Sequence, residues 1–233
     1  MKSFDLHLRP GKITALIGPN GAGKTTLFNL ITGFISPTSG EVVWRKRNIT
    51  NMSPHRIARQ GISRTFQQVK LFRSLTVIEN LLMAKRKGAY EGFLAALGRR
   101  TAFKKMARQH HSELQYHLEV LGLSDKADDP ASALSYGQSK LIEILRAAET
   151  DPQLLLFDEP VAGLNPVMVE TIKSFIIILL KQRGITLFFI EHNIPFVFDV
   201  ADWVVVMDHG VKIAEGAPEA IRDDPKVIEA YLG

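Results

Sequence analysis

Nine consecutive residues constrain this chain more than any other feature: Gly18-Pro19-Asn20-Gly21-Ala22-Gly23-Lys24-Thr25-Thr26. The first eight fill the pattern G-x-x-x-x-G-K-[ST]. The apolar stretch Ile13–Ile17 before them reads as a buried strand, and a helix is expected from about Lys24 to Thr32. Glycines let the backbone curl so that successive N–H groups face inward, and the helix that follows aims the positive end of its dipole at the same point. Such a loop cradles phosphates. On this reading Asn20, Gly21, Ala22, Gly23, Lys24, Thr25 and Thr26 bind a nucleotide, with Lys24 reaching the β and γ phosphates and the Thr25 hydroxyl on Mg²⁺.

A glycine-rich turn that merely precedes a helix is the plain alternative, and a second site argues against it. Leu154-Leu155-Leu156-Phe157 reads as a short buried strand that delivers Asp158 and Glu159 at its end. Adjacent strand residues face opposite sides, so the two carboxylates are expected to do different work. Asp158 is placed to hold Mg²⁺ directly or through water. Glu159 is placed to orient and deprotonate an attacking water near the γ phosphate. ATP and Mg²⁺ are therefore the expected substrate and cofactor.

The rest of the chain alternates strand, turn and helix, the pattern of an α/β sheet. Strands are expected at Glu41–Trp44, Ile62–Phe66 and Thr186–Ile190, with a hairpin of Trp203–Met207 and Val211–Glu215 around Asp208-His209-Gly210. Ser53-Pro54 and Asn165-Pro166 open helices, Gly61 closes the first of these, and Asp224-Pro225 opens a last short one. Between residues 70 and 150 no strand is expected. There, Thr76-Val77-Ile78-Glu79 fits a capping box and the pattern stays mostly helical to about Leu121.

With 45% apolar and 23% charged residues and no cysteine, the composition is that of an ordinary globular protein without disulfides or thiolate metal sites. No stretch approaches the roughly 20 apolar residues of a membrane span. The formal charge of +5 is uneven, because Lys85–Arg108 carries eight Lys or Arg against the single acid Glu91. A solvated helical face is the plainer reading, and contact with anionic headgroups or a partner's acidic loop the sharper one. Nucleic acid is the less favoured reading, since Tyr90, Phe93 and Phe103 are the only stacking faces among these charges.

Four further pieces bring in a family. Leu134-Ser135-Tyr136-Gly137-Gln138 before a helix resembles the signature of ATP-binding cassette (ABC) proteins. Gln67 in Arg64-Thr65-Phe66-Gln67-Gln68 resembles their Q-loop glutamine, Ala162-Gly163-Leu164-Asn165-Pro166 their D-loop, and His192 in Ile190-Glu191-His192 their switch histidine. Each is weak alone, but their order and spacing after a full phosphate loop are specific and cover the whole chain. Thr32-Gly33-Phe34, Leu71-Phe72-Arg73, Thr76–Leu81, the basic insert and the ending Pro225–Gly233 further resemble the larger ATPase subunit of branched-chain amino acid importers.

The resemblance implies a P-loop NTPase fold, α/β, with a mostly parallel core sheet and flanking helices. One ABC ATPase domain would cover residues 1–233, with 1–70 and 150–233 as core and about 71–149 as an inserted helical signature subdomain. It implies a catalytic set of Glu159, His192 and Gln67, and a metal set of Thr25, Gln67 and Asp158. It also implies a pair of ATPase subunits, identical or sister chains, in which Ser135, Gly137 and Gln138 of one close over ATP on the other. Membrane-spanning permease subunits would dock near Gln68–Leu82, with a solute-binding protein acting indirectly, at the cytoplasmic face of a bacterial-type inner membrane. A soluble ABC ATPase without a membrane partner is the alternative, disfavoured because the insert is short and lacks sustained heptads. A non-hydrolysing module is disfavoured by Glu159 and His192.

Three departures stand out. Only 17 residues precede Gly18, whereas cassettes stack an aromatic on adenine from about 25 residues upstream. The expectation is an antiparallel β subdomain truncated at the N-terminus and a natural subunit that begins earlier. Asn165 stands where many cassettes have Asp, keeping the helix cap without the charge. Asn193 follows the histidine where Asp is common, and the signature has Tyr136 in place of Gly.

Overall fold

The computed structural model describes residues 4–65, 70–85 and 100–232, with the side chains of 100–109, 180, 181 and 232 excepted. The chain divides into two compact units. Residues up to 64, 153–162 and from 180 onward form the first, and residues 65–152 and 163–179 the second.

The first unit is built on a six-stranded sheet. Its strands are β1 (Ile13–Ile17), β4 (Ile62–Arg64), β5 (Leu154–Asp158), β6 (Thr186–Ile190), β7 (Trp203–Asp208) and β8 (Val211–Gly216), in the order β4-β5-β6-β1-β7-β8. All neighbours run parallel except β7 and β8, which form the expected hairpin. β1, β5 and β6 bury all five residues each, as strands covered on both faces must, and so read as continuous apolar runs. β1 sits between β6 and β7, pairing Ala15 with Phe189 on one side and Val204 on the other. Chain segments leaving the carboxyl ends of β1, β5 and β6 therefore gather along one edge of the sheet, where open α/β folds bind ligands.

Helix α1 (Lys24–Ile31) packs Phe28 against Phe188 with ring centroids 5.1 Å apart, inside a core that also takes Leu16, Leu27, Ile57, Leu156 and Met207. Each such side chain, once buried, contributes about 1.5–3 kcal/mol. The strand expected at Glu41–Trp44 is shorter: β2 (Val43–Trp44) pairs antiparallel with β3 (Arg47–Asn48) through Arg45 and Lys46, both at positive φ. α2 (Pro54–Arg59) starts after Ser53 and ends before Gly61, as expected, although the Ser53 side chain makes no cap hydrogen bond.

The second unit is helical. Among the described residues it holds α3 (Val77–Leu82), α4 (Arg100–Val120), α5 (Tyr136–Ala148) and most of α6 (Pro166–Arg183); no named strand lies between 70 and 150, only an isolated bridge from Thr76 to Pro130. The Thr76–Glu79 capping box forms. Asn80, fully buried, accepts the Phe72 N–H and donates to the Phe72 and Thr76 carbonyls, which shapes the loop before α3. Glu149, at the end of α5, is bracketed by Lys85 and by His117 Nδ1 at 2.7 Å, and Lys85 also reaches Glu113 at 2.8 Å. Glu113, His117 and Glu149 could by spacing hold a metal ion. The Lys85 ammonium already supplies the positive charge those two carboxylates need. The other helices, α7 (Ile194–Val200), α8 (Pro218–Arg222) and α9 (Pro225–Leu232), belong to the first unit.

Candidate nucleotide site

The loop after β1 is shaped by what surrounds it as much as by its own glycines. A Cβ on Gly18 would lie 1.9 Å from the Met207 carbonyl oxygen, so only glycine lets the loop pass β7. Met207 stands at a register shift in the β7–β8 pairing. Beyond it the two-residue turn His209-Gly210, with both φ positive, sends the Gly210 N–H to the Ala22 carbonyl at 2.8 Å. The hairpin therefore buttresses the loop from outside. Tyr231 on α9 also reaches it: burial pushes its phenol up, and a hydrogen bond with the Gly18 backbone opposes that.

Gly23 caps α1 in a left-handed conformation and offers no side chain to its first turn, which carries no acid either. The N-terminal N–H groups of α1 thus keep their polarity for an anion. Lys24 is buried, and its ammonium donates to the carbonyls of Gly18 at 2.7 Å and Pro19 at 2.8 Å. Burial lowers its pKa, opposed by the charges of Glu159 and then Asp158. The loop lysine and the two acids after β5 therefore act on one another across this edge of the sheet. Thr25 and Thr26 expose their side chains.

The two acids are separated, although strand alternation is not the whole reason. Asp158 is the last residue of β5 and buried, whereas Glu159 turns out of the strand at φ 52, a left-handed conformation costly to a residue with a side chain. Asp158 Oδ2 pairs with Arg64 Nη2 at 2.9 Å. Glu159 Oε1 lies 3.2 Å from His192 Nε2, with the histidine 40% exposed and the glutamate 22%, so this pair reaches solvent. Thr25 and Asp158 offer a hydroxyl and a carboxylate, the hard oxygen donors that suit Mg²⁺.

Sequence reasoning missed Glu191. Nearly fully buried, it accepts the Val161 N–H through Oε1 at 2.8 Å, and the His192 and Asn193 N–H groups through Oε2 at 2.9 and 3.2 Å. It fastens the segment after β5 to the segment after β6 and so holds Glu159 and His192 in register. The only sequence signal was an acid wedged between a buried strand and the histidine. Asn193 caps α7 by accepting the Phe196 N–H, a local task that does not need the charge of an aspartate.

In the second unit Ser135 caps α5, and the capping box with Gln138 is complete: the Gln138 N–H donates to Ser135 Oγ at 3.3 Å and Gln138 Oε1 accepts the Ser135 N–H at 2.9 Å. The box leaves the Ser135 O–H and the Gln138 amide hydrogens as donors at the helix N-terminus. Gly137 is buried, and a Cβ there would meet the Met168 thioether at 2.3 Å. Asn165 caps α6 through the Met168 N–H at 3.0 Å, as its sequence position implied. Gln67 and Gln68 lie outside the described residues, as does most of the basic stretch 85–108.

A glycine-rich loop between a central parallel strand and a helix, with a buried lysine and two carboxylates at the end of β5, defines a P-loop nucleotide-binding ATPase. Residues 1–162 match the ABC transporter family, and residues 211–233 match a branched-chain amino acid ATP-binding cassette transporter family. The chain is 41% identical over 233 residues to the high-affinity branched-chain amino acid transport ATP-binding protein BraF of Pseudomonas aeruginosa, covering all of this chain and 91% of that one. The same figures hold for LivG of Salmonella typhimurium, which carries the same description. The solved structure of an ATP-binding cassette of an ABC transporter is 35% identical with a TM-score of 0.82, over 99% of this chain and 91% of that one. This protein is a member of the ABC transporter family, one of its ATP-binding, ATP-hydrolysing cassettes. No described helix is long and apolar enough to cross a membrane.

Proposed function

We propose that this cassette hydrolyses ATP to drive import of branched-chain amino acids through membrane-spanning permease subunits that it serves from the cytoplasmic face. A solute-binding protein acts upstream and nucleic acid plays no part. The solute follows from the relatives' descriptions. The chemistry is supported above all by Lys24, held in the loop and sensing the charges of both Asp158 and Glu159. The first unit is the nucleotide core and the second the signature subdomain.

Asn20 to Thr26 hold the phosphates, with Lys24 exchanging its carbonyl partners for the β and γ oxygens. Glu159 takes the proton of the attacking water, and His192, 3.2 Å from it, fixes the carboxylate and then meets the γ phosphate. Thr25 and Asp158, with Gln67, would hold Mg²⁺, which supplies charge neutralisation for the departing phosphate. Ser135, Gly137 and Gln138 of a second cassette close the site from a helix N-terminus. This uses the same anion physics a second time.

The test is Glu159→Gln. It is expected to bind ATP, to pair stably in its presence, and to lose at least about 100-fold in turnover, the usual scale for a lost general base. Turnover close to that of the parent would remove Glu159 from this role.

A further inference from the structure

We propose that Arg64 is a positioning residue for the divalent cation, tying the metal-side carboxylate to the helix that carries the phosphate loop; this rests on the nucleotide site proposed above. Arg64 ends β4, an edge strand of the sheet, and is the last residue of the first unit's opening segment. Its side chain is 7% exposed and that of Asp158 3%, so the pair lies out of solvent. One arm of the guanidinium, Nη2, donates to Asp158 Oδ2 at 2.9 Å. The other, Nη1, donates to Asn29 Oδ1 at 2.7 Å and Thr32 Oγ1 at 3.2 Å, at the last turn and C-cap of α1. Thr32 commits its own proton to the Phe28 carbonyl at 2.6 Å, which leaves its oxygen as an acceptor for Arg64. The guanidinium carbon lies 5.4 Å from the centre of the Phe28 ring.

Each of these contacts asks for arginine. A planar fork serves two partners in fixed directions, whereas an ammonium acts as one point charge. The last turn of α1 carries no base of its own, so Arg64 also provides the cation favoured at a helix C-terminus. The outcome is a bracket from the far end of α1 to the end of β5. α1 begins with Lys24 and Thr25 and β5 ends with Asp158, so the bracket sets the hydroxyl and the carboxylate of the metal site relative to one another. Mg²⁺ tolerates little error, taking oxygens at about 2.0–2.1 Å in near-ideal octahedral geometry. The phosphate loop's own N–H groups precede α1, and the Lys24 ammonium is held by the Gly18 and Pro19 carbonyls rather than by any partner of Arg64. Loss of Arg64 should therefore remove the metal's contribution to nucleotide binding and leave the metal-free contribution in place.

The experiment titrates a fluorescent ADP derivative into the full chain with excess EDTA and with Mg²⁺, and takes the ratio of the two Kd values. In Arg64→Met the ratio should fall at least about tenfold, the scale of losses around metal sites, with the EDTA Kd unchanged. Arg64→Lys should fall between the two. Arg64→Met leaves a buried carboxylate without its partner and can fail to fold. The pair Asn29→Ala with Thr32→Val cuts the α1 arm together with the Thr32 bond to the Phe28 carbonyl, keeps the ion pair, and should also lower the ratio. A parent-like ratio in any of these that folds by circular dichroism overturns the inference. So does an equal loss in EDTA and in Mg²⁺, which marks general damage to the fold. A parent chain that binds the probe without any Mg²⁺ effect refutes the inference alone; one that binds no probe at all refutes the nucleotide site and the inference with it.

Discussion

Lys24 shows how one side chain is prepared before substrate arrives. Its ammonium is stripped of water and held by two carbonyls, and the nearby acids only partly offset the burial that lowers its pKa. A triphosphate stabilises the charged form, so binding draws a proton onto Lys24 wherever the free protein has begun to lose it. Below the lowered pKa the lysine is charged in both states and contributes no pH dependence. Above it, affinity falls as pH rises, and the fall begins short of the ordinary lysine value of about 10.4. Titrations of ADP at rising pH should show this alkaline loss together with proton uptake measured by calorimetry in buffers of different ionisation enthalpy. Affinity that stays flat up to the ordinary lysine range would contradict the lowered pKa. Glu159 and Glu191 complete the picture at this scale: one accepts a left-handed backbone to face solvent, and the other stays buried to hold the first in place.

At the scale of elements, two glycines separate an obligatory contact from a tolerant one. Gly18 faces the backbone oxygen of Met207 at φ 150, and neither β7 nor the loop can yield without breaking the sheet. Gly18→Ala is expected to cost more than about 3 kcal/mol, beyond ordinary overpacking, and to abolish ADP binding. Gly137 sits inside α5 and faces the flexible end of Met168, with Leu164 Cδ2 next at 3.4 Å. There alanine gains about 1 kcal/mol of helix propensity against about 1–3 kcal/mol of crowding, so the variant should lose about 2 kcal/mol at most. Denaturant melts of both variants check the contrast, and equal losses would refute it. The strands around Gly18 were legible because burial on both faces leaves unbroken apolar runs: β1 and β6 fall at the residues read from sequence. α7 was not, because Ile194-Pro195-Phe196-Val197-Phe198 carries no polar face to mark a helical period, and only Asn193 signals its start. Arg64 was legible as part of a sequence pattern but not as the partner of Asp158, 94 residues away, since pairing across strands leaves no local trace.

At the scale of the molecule, the two units divide the labour that the proposed mechanism needs. The first holds the phosphate loop, Asp158, Glu159 and His192, and the second starts its α5 at a capped N-terminus with spare donors. In the proposed mechanism that helix end serves the triphosphate of a second cassette. Ser135→Glu separates these roles. The added carboxylate would face the triphosphate of the partner cassette, and like charges brought together in a partly dry site repel strongly. The lost cap costs the second unit only about 1 kcal/mol, too little to unfold it. Placed in a Glu159→Gln background, Ser135→Glu should therefore bind ADP as its parent does while failing to form the ATP-dependent pair in sedimentation or size-exclusion measurements. In the otherwise native chain it should lower ATP turnover by at least about tenfold, the effect of about 1.4 kcal/mol at the transition state. Pairing and turnover that survive the added charge would place the Ser135 end away from the nucleotide, and hydrolysis would then need no second cassette.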